Sequence, residues 1–105
     1  MQGMRIFTKK PIESFKVKHP DSATGLQQWY VTVSKSKFDG PEHVRKVFGN
    51  KVDVVAKGYV FDISGNKYRL AASMHFNKQH VFIREIMTHA EYSKEAWKKR
   101  HQDFH

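Results

Sequence analysis

Lys67-Tyr68-Arg69-Leu70-Ala71-Ala72-Ser73-Met74-His75-Phe76 carries an apolar side chain at every second position: Tyr68, Leu70, Ala72, Met74 and Phe76. Lys67, Arg69, Ala71, Ser73 and His75 alternate with them. A period of two predicts a strand with one apolar face and one polar, basic face. Upstream, Tyr59, Phe61 and Ile63 alternate with Val60 and Asp62, and Ser64-Gly65-Asn66 reads as a tight turn. Downstream, Asn77-Lys78-Gln79-His80 reads as a second turn. Val81 to Met87 is more continuously apolar, as a central strand is. Two hairpins in series predict a three-stranded antiparallel meander.

The segments on either side are helical in pattern. Met4 to Phe7 is a short apolar run that predicts an opening strand. Thr8 is a candidate cap for a short helix with Pro11 in its first turn and Ile12 and Phe15 on its inner face. His19-Pro20 ends it, because the residue before proline avoids the α region. Asp21 or Ser22 then caps a second helix, whose Leu26, Trp29, Tyr30 and Val33 fall on one face. Gly40-Pro41 starts a third, with Val44, Val47 and Phe48 inward, and Gly49-Asn50 stops it. After the meander, Thr88-His89-Ala90-Glu91 fits a capping box. It predicts a final helix carrying Tyr92, Ala96 and Trp97, with Lys98, Lys99 and Arg100 near its end. The expected order is β-α-α-(α)-β-β-β-α. This is an α+β fold with helices on one face of a mostly antiparallel sheet and the other face partly open.

At 105 residues the chain is one domain, with residues 1–3 read as an extension and residues 101–105 as a disordered tail. No apolar run approaches the roughly 18 residues of a membrane span, and the start lacks the pattern of a signal peptide. The absence of cysteine excludes disulfide scaffolds, thiol nucleophiles and Cys-based zinc sites, and it suits a reducing cytoplasm. Lys and Arg number 19 against 10 Asp and Glu, for a net charge of +9. Residues 1–52 hold 10 basic and 4 acidic side chains, so the excess lies mainly in the first half. A small folded domain this basic meets a polyanion, nucleic acid first, with an anionic membrane surface or acidic protein as alternatives.

Four groups of residues are candidates for chemistry. Lys67, Arg69 and His75 lie on one strand face at steps of roughly 7 Å per two residues, and such a face either holds phosphate or is simply solvated. His89, first in its helix, is placed to exchange protons with an anionic substrate, with Tyr92 one turn on. The alternative is a surface His89 and a core Tyr92. His75, His80 and His89 lack the spacing of a metal site, and no metal is expected. Trp29 and Tyr30 could stack bases, but with Leu26 and Val33 they read better as core.

Gly65-Asn66-Lys67-Tyr68-Arg69-Leu70, Val81-Phe82-Ile83-Arg84 and Thr88-His89-Ala90-Glu91-Tyr92 together resemble the HigB toxin family of the RelE-like superfamily, in the branch typified by the Escherichia coli toxin. His19-Pro20-Asp21 and Trp29-Tyr30 are similar to the same family's first half. The similarity runs from about Met4 to about Ala96. Ser93-Lys94-Glu95 departs from the Asp-then-basic pattern expected of relatives. The resemblance implies the toxin of a type II toxin–antitoxin system, a cytoplasmic mRNA endoribonuclease acting on message in the translating ribosome. It also implies a cognate HigA-type helix-turn-helix antitoxin as partner, with operator DNA reached only through that antitoxin.

The same resemblance carries roles to four residues. Arg69 matches the arginine set at the scissile phosphate, and Lys67 belongs to its motif. His89 and Tyr92 fall where relatives carry catalytic His, Tyr or basic residues. RNA brings its own nucleophile, the 2′-hydroxyl, so the reaction needs no cofactor. It needs charge for the phosphorane, from Arg69 and Lys67, and proton carriers, from His89 assisted by Tyr92, with His75 second. Lys9, Lys10, Lys16, Lys18, Lys35, Lys37 and His75 are the expected RNA contacts. The competing readings are a non-catalytic RNA- or DNA-binding module and a pure protein-interaction domain.

Overall fold

The computed structural model describes residues 3–104. Its strands are β1 (Arg5–Phe7), β2 (Val52–Val55), β3 (Gly58–Ile63), β4 (Tyr68–His75) and β5 (His80–Thr88). Its α-helices are α1 (Lys10–Lys18), α2 (Ala23–Lys35), α3 (Pro41–Phe48) and α4 (His89–Ser93). One five-stranded sheet runs in the order β1-β5-β4-β3-β2. All neighbours are antiparallel except β1, which joins β5 in parallel with Phe7 opposite Phe82. The α+β architecture and the β3-β4-β5 meander are those expected from the alternation. β2 is an addition. It pairs with β3 through the two-residue loop Ala56-Lys57, in which Ala56 has φ of 54°.

The first face of the sheet is covered by α1, α2 and α3. Tyr59, Phe61 and Ile63 of β3 and Leu70, Ala72 and Met74 of β4 point into this layer. Leu26, Trp29, Val33 and Val44 meet them from the helices. Trp29 lies edge-on to Phe61 at 5.5 Å, so the Trp29 ring is core, not a stacking surface. A bulge at Arg84 keeps this face continuous: Ala72 faces Ile83 but Ala71 faces Glu85. The extra residue resets the alternation, so Ile83 and Ile86 both enter the core despite being three apart.

Several local expectations are corrected. Thr8 does not cap α1. It has φ of 63°, and its hydroxyl donates to the Ile83 carbonyl at 3.1 Å. Of the two residues offered as the cap of α2, Ser22 takes the N-cap position, its hydroxyl donating back to the His19 carbonyl at 2.7 Å, while the Asp21 carboxylate accepts from the Tyr68 hydroxyl at 2.6 Å and from Lys67 Nζ at 3.0 Å. Val47 stays 44% exposed, so α3 turns a narrower face inward than its sequence suggests. The last helix is short. It ends at Ser93, and Glu95 adopts a left-handed φ of 61°. Beyond that break, 3-10 turns at Ala96–Arg100 and Gln102–Phe104 lay the chain across the second face of the sheet.

That crossing segment builds a second, small core. Trp97 and Phe104 pack on Val60, Ala71 and Met87. Phe104 sits directly over Gly58, where a Cβ would collide with the ring. The Lys57 amide donates to the Asp103 carbonyl at 2.9 Å. The Asp103 carboxylate accepts from Ser73 and lies 4.0 Å from Arg84. Glu85 holds both Arg100, at 2.5 Å, and His101, at 2.8 Å. Residues 101–104, read from sequence as a disordered tail, are therefore folded against the sheet. Gly3, read as extension, donates from its amide to the Ser34 carbonyl at 3.1 Å. Residues 1, 2 and 105 lie outside the described residues.

Candidate active site

The tail covers the centre of the second face and leaves its two ends open. At one end, β3 and β4 place Asp62 opposite Arg69 in register, with Met87 of β5 beside them. Arg69 is 8% exposed. Its Nε lies 3.2 Å from Asp62 Oδ1. One terminal nitrogen donates to the Tyr68 carbonyl at 3.0 Å and the Asn66 carbonyl at 3.3 Å. The other donates to Asn66 Oδ1 at 2.5 Å. The Tyr92 ring closes over the guanidinium at 5.5 Å, a cation–π contact.

The capping box forms as its sequence suggests. Thr88 Oγ1 accepts from the Glu91 amide at 3.2 Å, and the Glu91 carboxylate accepts from the Thr88 amide at 2.9 Å. Such a cap stabilises a helix by about 1 kcal/mol, which matters in a helix of five residues. It fixes the start of α4 and with it His89. The His89 amide donates to the Lys67 carbonyl at 3.0 Å, tying α4 to the β3–β4 turn. The imidazole is exposed, with Nδ1 at 3.4 Å from the Ser93 hydroxyl. Trp97 Nε1 donates to the Tyr92 carbonyl at 3.0 Å and its ring stacks on Tyr92, so the covering tail also positions Tyr92.

The electrostatics follow from this packing. Burial pushes the Asp62 carboxyl above its ordinary range, against the opposing pull of Arg69 and, more weakly, His89. Asp62 was not singled out from the sequence. The available signal was an acidic residue at a strand position facing Arg69 across a hairpin. Burial, reinforced by Asp53, also raises the Tyr92 phenol, which keeps it protonated at neutral pH and makes it a donor. On the helix side of the turn, the Tyr68 and Lys67 hydrogen bonds hold Asp21 below the usual carboxylate range.

Arg69, His89 and Tyr92 thus come together around one corner. His75 shares the second face with Arg69, as the alternation suggests, but Lys67 does not. Lys67 lies in the turn before β4, and its exposed ammonium reaches Asp21 instead. The tail buries Ala71 and Ser73, while Tyr92 covers Arg69, and this splits the basic face. His75 stands at the other end of β4, opposite His80. Among the described residues no three His, Asp or Glu side chains cluster as metal ligands. No helix among them is long and apolar enough to cross a membrane. Lys9, Lys10, Lys16 and Lys18 belong to α1 and its start, Lys35 ends α2, and Lys37 lies two residues beyond it. All six lie in the helical layer, apart from the Arg69 corner; Lys16 pairs with Glu13 at 3.4 Å and Lys9 sits 5.1 Å from the Tyr30 ring centre.

Known proteins share this sequence pattern. A family model described as HigB_toxin, RelE-like toxic component of a toxin-antitoxin system, matches residues 22–95. The mRNA interferase HigB of Escherichia coli O6:H1 is 34% identical over 93 residues, covering 87% of this chain and 90% of that protein. The mRNA interferase toxin HigB of Escherichia coli K12 is 35% identical over 91 residues, covering 85% and 88%. The Shigella flexneri mRNA interferase HigB matches to the same extent, 35% over 91 residues. The matched segment runs from the end of the Asp21 turn through β4, β5 and the capped start of α4. On a family model spanning most of its length and relatives above 30% identity along nearly all of it, this chain belongs to the HigB family of RelE-like toxins.

Proposed function

We propose that this chain is an mRNA interferase that stops translation by cutting message in the ribosome, and that the cut is made at the Arg69 corner. The observation that carries the reading is the Tyr92 ring over the Arg69 guanidinium, with the exposed His89 at the capped start of the same helix and its amide tied to the Lys67 carbonyl.

The 2′-hydroxyl of the message attacks the adjacent phosphorus. His89, exposed and held by the capped start of α4, takes its proton. Negative charge grows on the phosphorane oxygens, where Arg69 faces it. Arg suits the task because its planar fork matches two phosphate oxygens. Its contact with Asn66, an exposed turn residue, is the one that a phosphate replaces. Asp62 positions Arg69 by holding Nε. The P–O5′ bond breaks, and the protonated Tyr92 supplies a proton to the departing 5′-oxygen. The products are a 2′,3′-cyclic phosphate and a 5′-hydroxyl. Lys67 reaches the same phosphate by leaving Asp21, an exposed pair that costs little to break.

The lysines of the helical layer have a separate task. Lys9, Lys10, Lys16, Lys18, Lys35 and Lys37 contact ribosomal RNA backbone, so association weakens steeply with salt as counterions are released. The antitoxin that the family requires is of the HigA helix-turn-helix type, and it brings the pair to operator DNA.

The test is primer extension on a defined message in a reconstituted translation reaction, with and without ribosomes. The message carries either a ribose or a 2′-deoxyribose at the mapped cleavage nucleotide. Cuts that need ribosomes, vanish with the deoxy sugar and leave a cyclic phosphate are the expected result. Cuts that persist at the deoxy nucleotide contradict the mechanism, and folded protein that cuts in no lane contradicts the function.

A further inference from the structure

The second open end of the same sheet face carries a different surface. Phe7 of β1 and Phe82 of β5 lie opposite each other in register. Their rings stack at 4.9 Å with 15° between planes. Both are partly buried, and neither belongs to either hydrophobic core. His80 meets Phe7 edge-on at 4.9 Å, and His75 meets Phe82 edge-on at 5.5 Å. Arg5 lies 5.2 Å from the Phe7 ring centre and Arg84 lies 5.1 Å from that of Phe82.

Folding ties Arg84 to Ser73 Oγ, to which its Nε donates at 2.9 Å, but gives the two rings no core to fill. Two phenyl rings on the solvent side, one of them on an edge strand, add an aggregation liability. An apolar partner calls for the rings without the cations. An acidic protein calls for the cations without the rings. The two together match one ligand chemistry, a flat base joined to a phosphate. Aromatic faces stack any base, while arginines beside them neutralise the backbone. The only carboxylate that pairs with these cations among the described residues is Asp103, 4.0 Å from Arg84.

We infer that Phe7 and Phe82, flanked by Arg5, Arg84, His75 and His80, form a stacking platform for an unpaired base of single-stranded RNA. His75 lies six steps along β4 from Arg69, about 20 Å at the rise of a strand. The platform is therefore a second contact point, distinct from the cleavage corner. That its ligand is RNA rests on the interferase reading above.

The test uses an eight-nucleotide oligouridylate with 2′-O-methyl riboses, which cannot be cut, and an abasic oligomer of equal charge. Fluorescence anisotropy gives the affinity of each for the wild type, Phe7→Ala, Phe82→Ala and Phe82→Trp. Circular dichroism confirms that every variant is folded. The wild type is expected to prefer the base-bearing oligomer roughly 5–150-fold, the range of one stacked base. Phe82→Ala should lose that preference and Phe82→Trp should keep it. Equal binding of both oligomers by the wild type overturns the platform, as does an alanine variant with unchanged preference. A Phe82→Ala protein that keeps its RNA affinity but loses its antitoxin also overturns it, in favour of a protein interface. Cleavage by the wild type on ribosomes, run in parallel, separates the two ideas. Cutting without base preference removes the platform alone, and base preference without cutting removes the interferase reading alone.

Discussion

The two faces of the sheet are built by opposite rules. The helix-covered face is one continuous apolar layer, from Met4 through Trp29 and Phe61 to Ile86. The other face has only Val60, Ala71, Met87, Trp97 and Phe104 at its centre, with Val55 and Tyr92 alongside. Every polar side chain brought together for chemistry or stacking lies at the ends of this second face. One face is committed to stability, and the other divides its area between a small clamp and two open ends. Tyr92 belongs to both halves of that division, since Trp97 stacks on it from one side and Arg69 lies beneath it on the other.

This contrast is open to attack from the largest effect downward. Phe61→Ala empties a fully buried site at the centre of the first face. It should cost about 3–5 kcal/mol, read as a lower midpoint in urea and a loss of protection across all strands. Loss confined to the tail would show that the first face is not the stabilising one. Gly58→Ala attacks the second face, because the new methyl meets the Phe104 ring. Overpacking of this kind costs about 1–3 kcal/mol. Here it should appear as local opening: faster hydrogen exchange at the Lys57 amide, which bonds Asp103, with the amides of β4 unchanged. Uniform loss of protection would mean that the two faces unfold as one unit.

A smaller effect is expected from pH. Burial disfavours the Glu85 charge, but hydrogen bonds from Arg100 and His101 outweigh it and hold the carboxyl below its ordinary value of 4.5. A depressed carboxyl contributes stability above its unfolded value and loses it as pH falls through the folded one. The tail should therefore loosen as pH drops below about 4.5, seen as a change in Trp97 fluorescence, and Glu85→Gln should abolish that dependence. A tail that loosens equally in Glu85→Gln would assign the acid sensitivity elsewhere.

The first face was legible in the sequence and much of the second was not. Strict alternation through Tyr68 to Phe76 and helical spacing through Leu26 to Val33 fix which side chains turn inward. β2 escaped because its hairpin places Ala56 at positive φ without the Asn-Gly or Asp-Gly pair that marks such turns. The tail escaped because Trp97 and Phe104 are isolated in a stretch of Lys, Arg and His, with no period to reveal a covered face. Alternation placed Arg69 on the correct side of β4 but could not say that Tyr92 and Trp97 lie over that side. Asp62 stayed hidden for the same reason, since its meaning depends on a partner seven residues on. The capping box, by contrast, is local. It located His89 and Tyr92 because four consecutive residues are enough to set the start of α4.

The central claim is that the Arg69 corner does chemistry while the first face does the folding. It is tested most directly by His89→Gln, compared with the wild type in two assays. One is single-turnover cleavage of ribosome-bound message, and the other is the urea midpoint. His89 is exposed, so the midpoint should shift by no more than about 0.5 kcal/mol. Loss of a proton carrier should slow cleavage by roughly 10²–10⁴-fold. A folded variant that cuts at the wild-type rate would contradict the account.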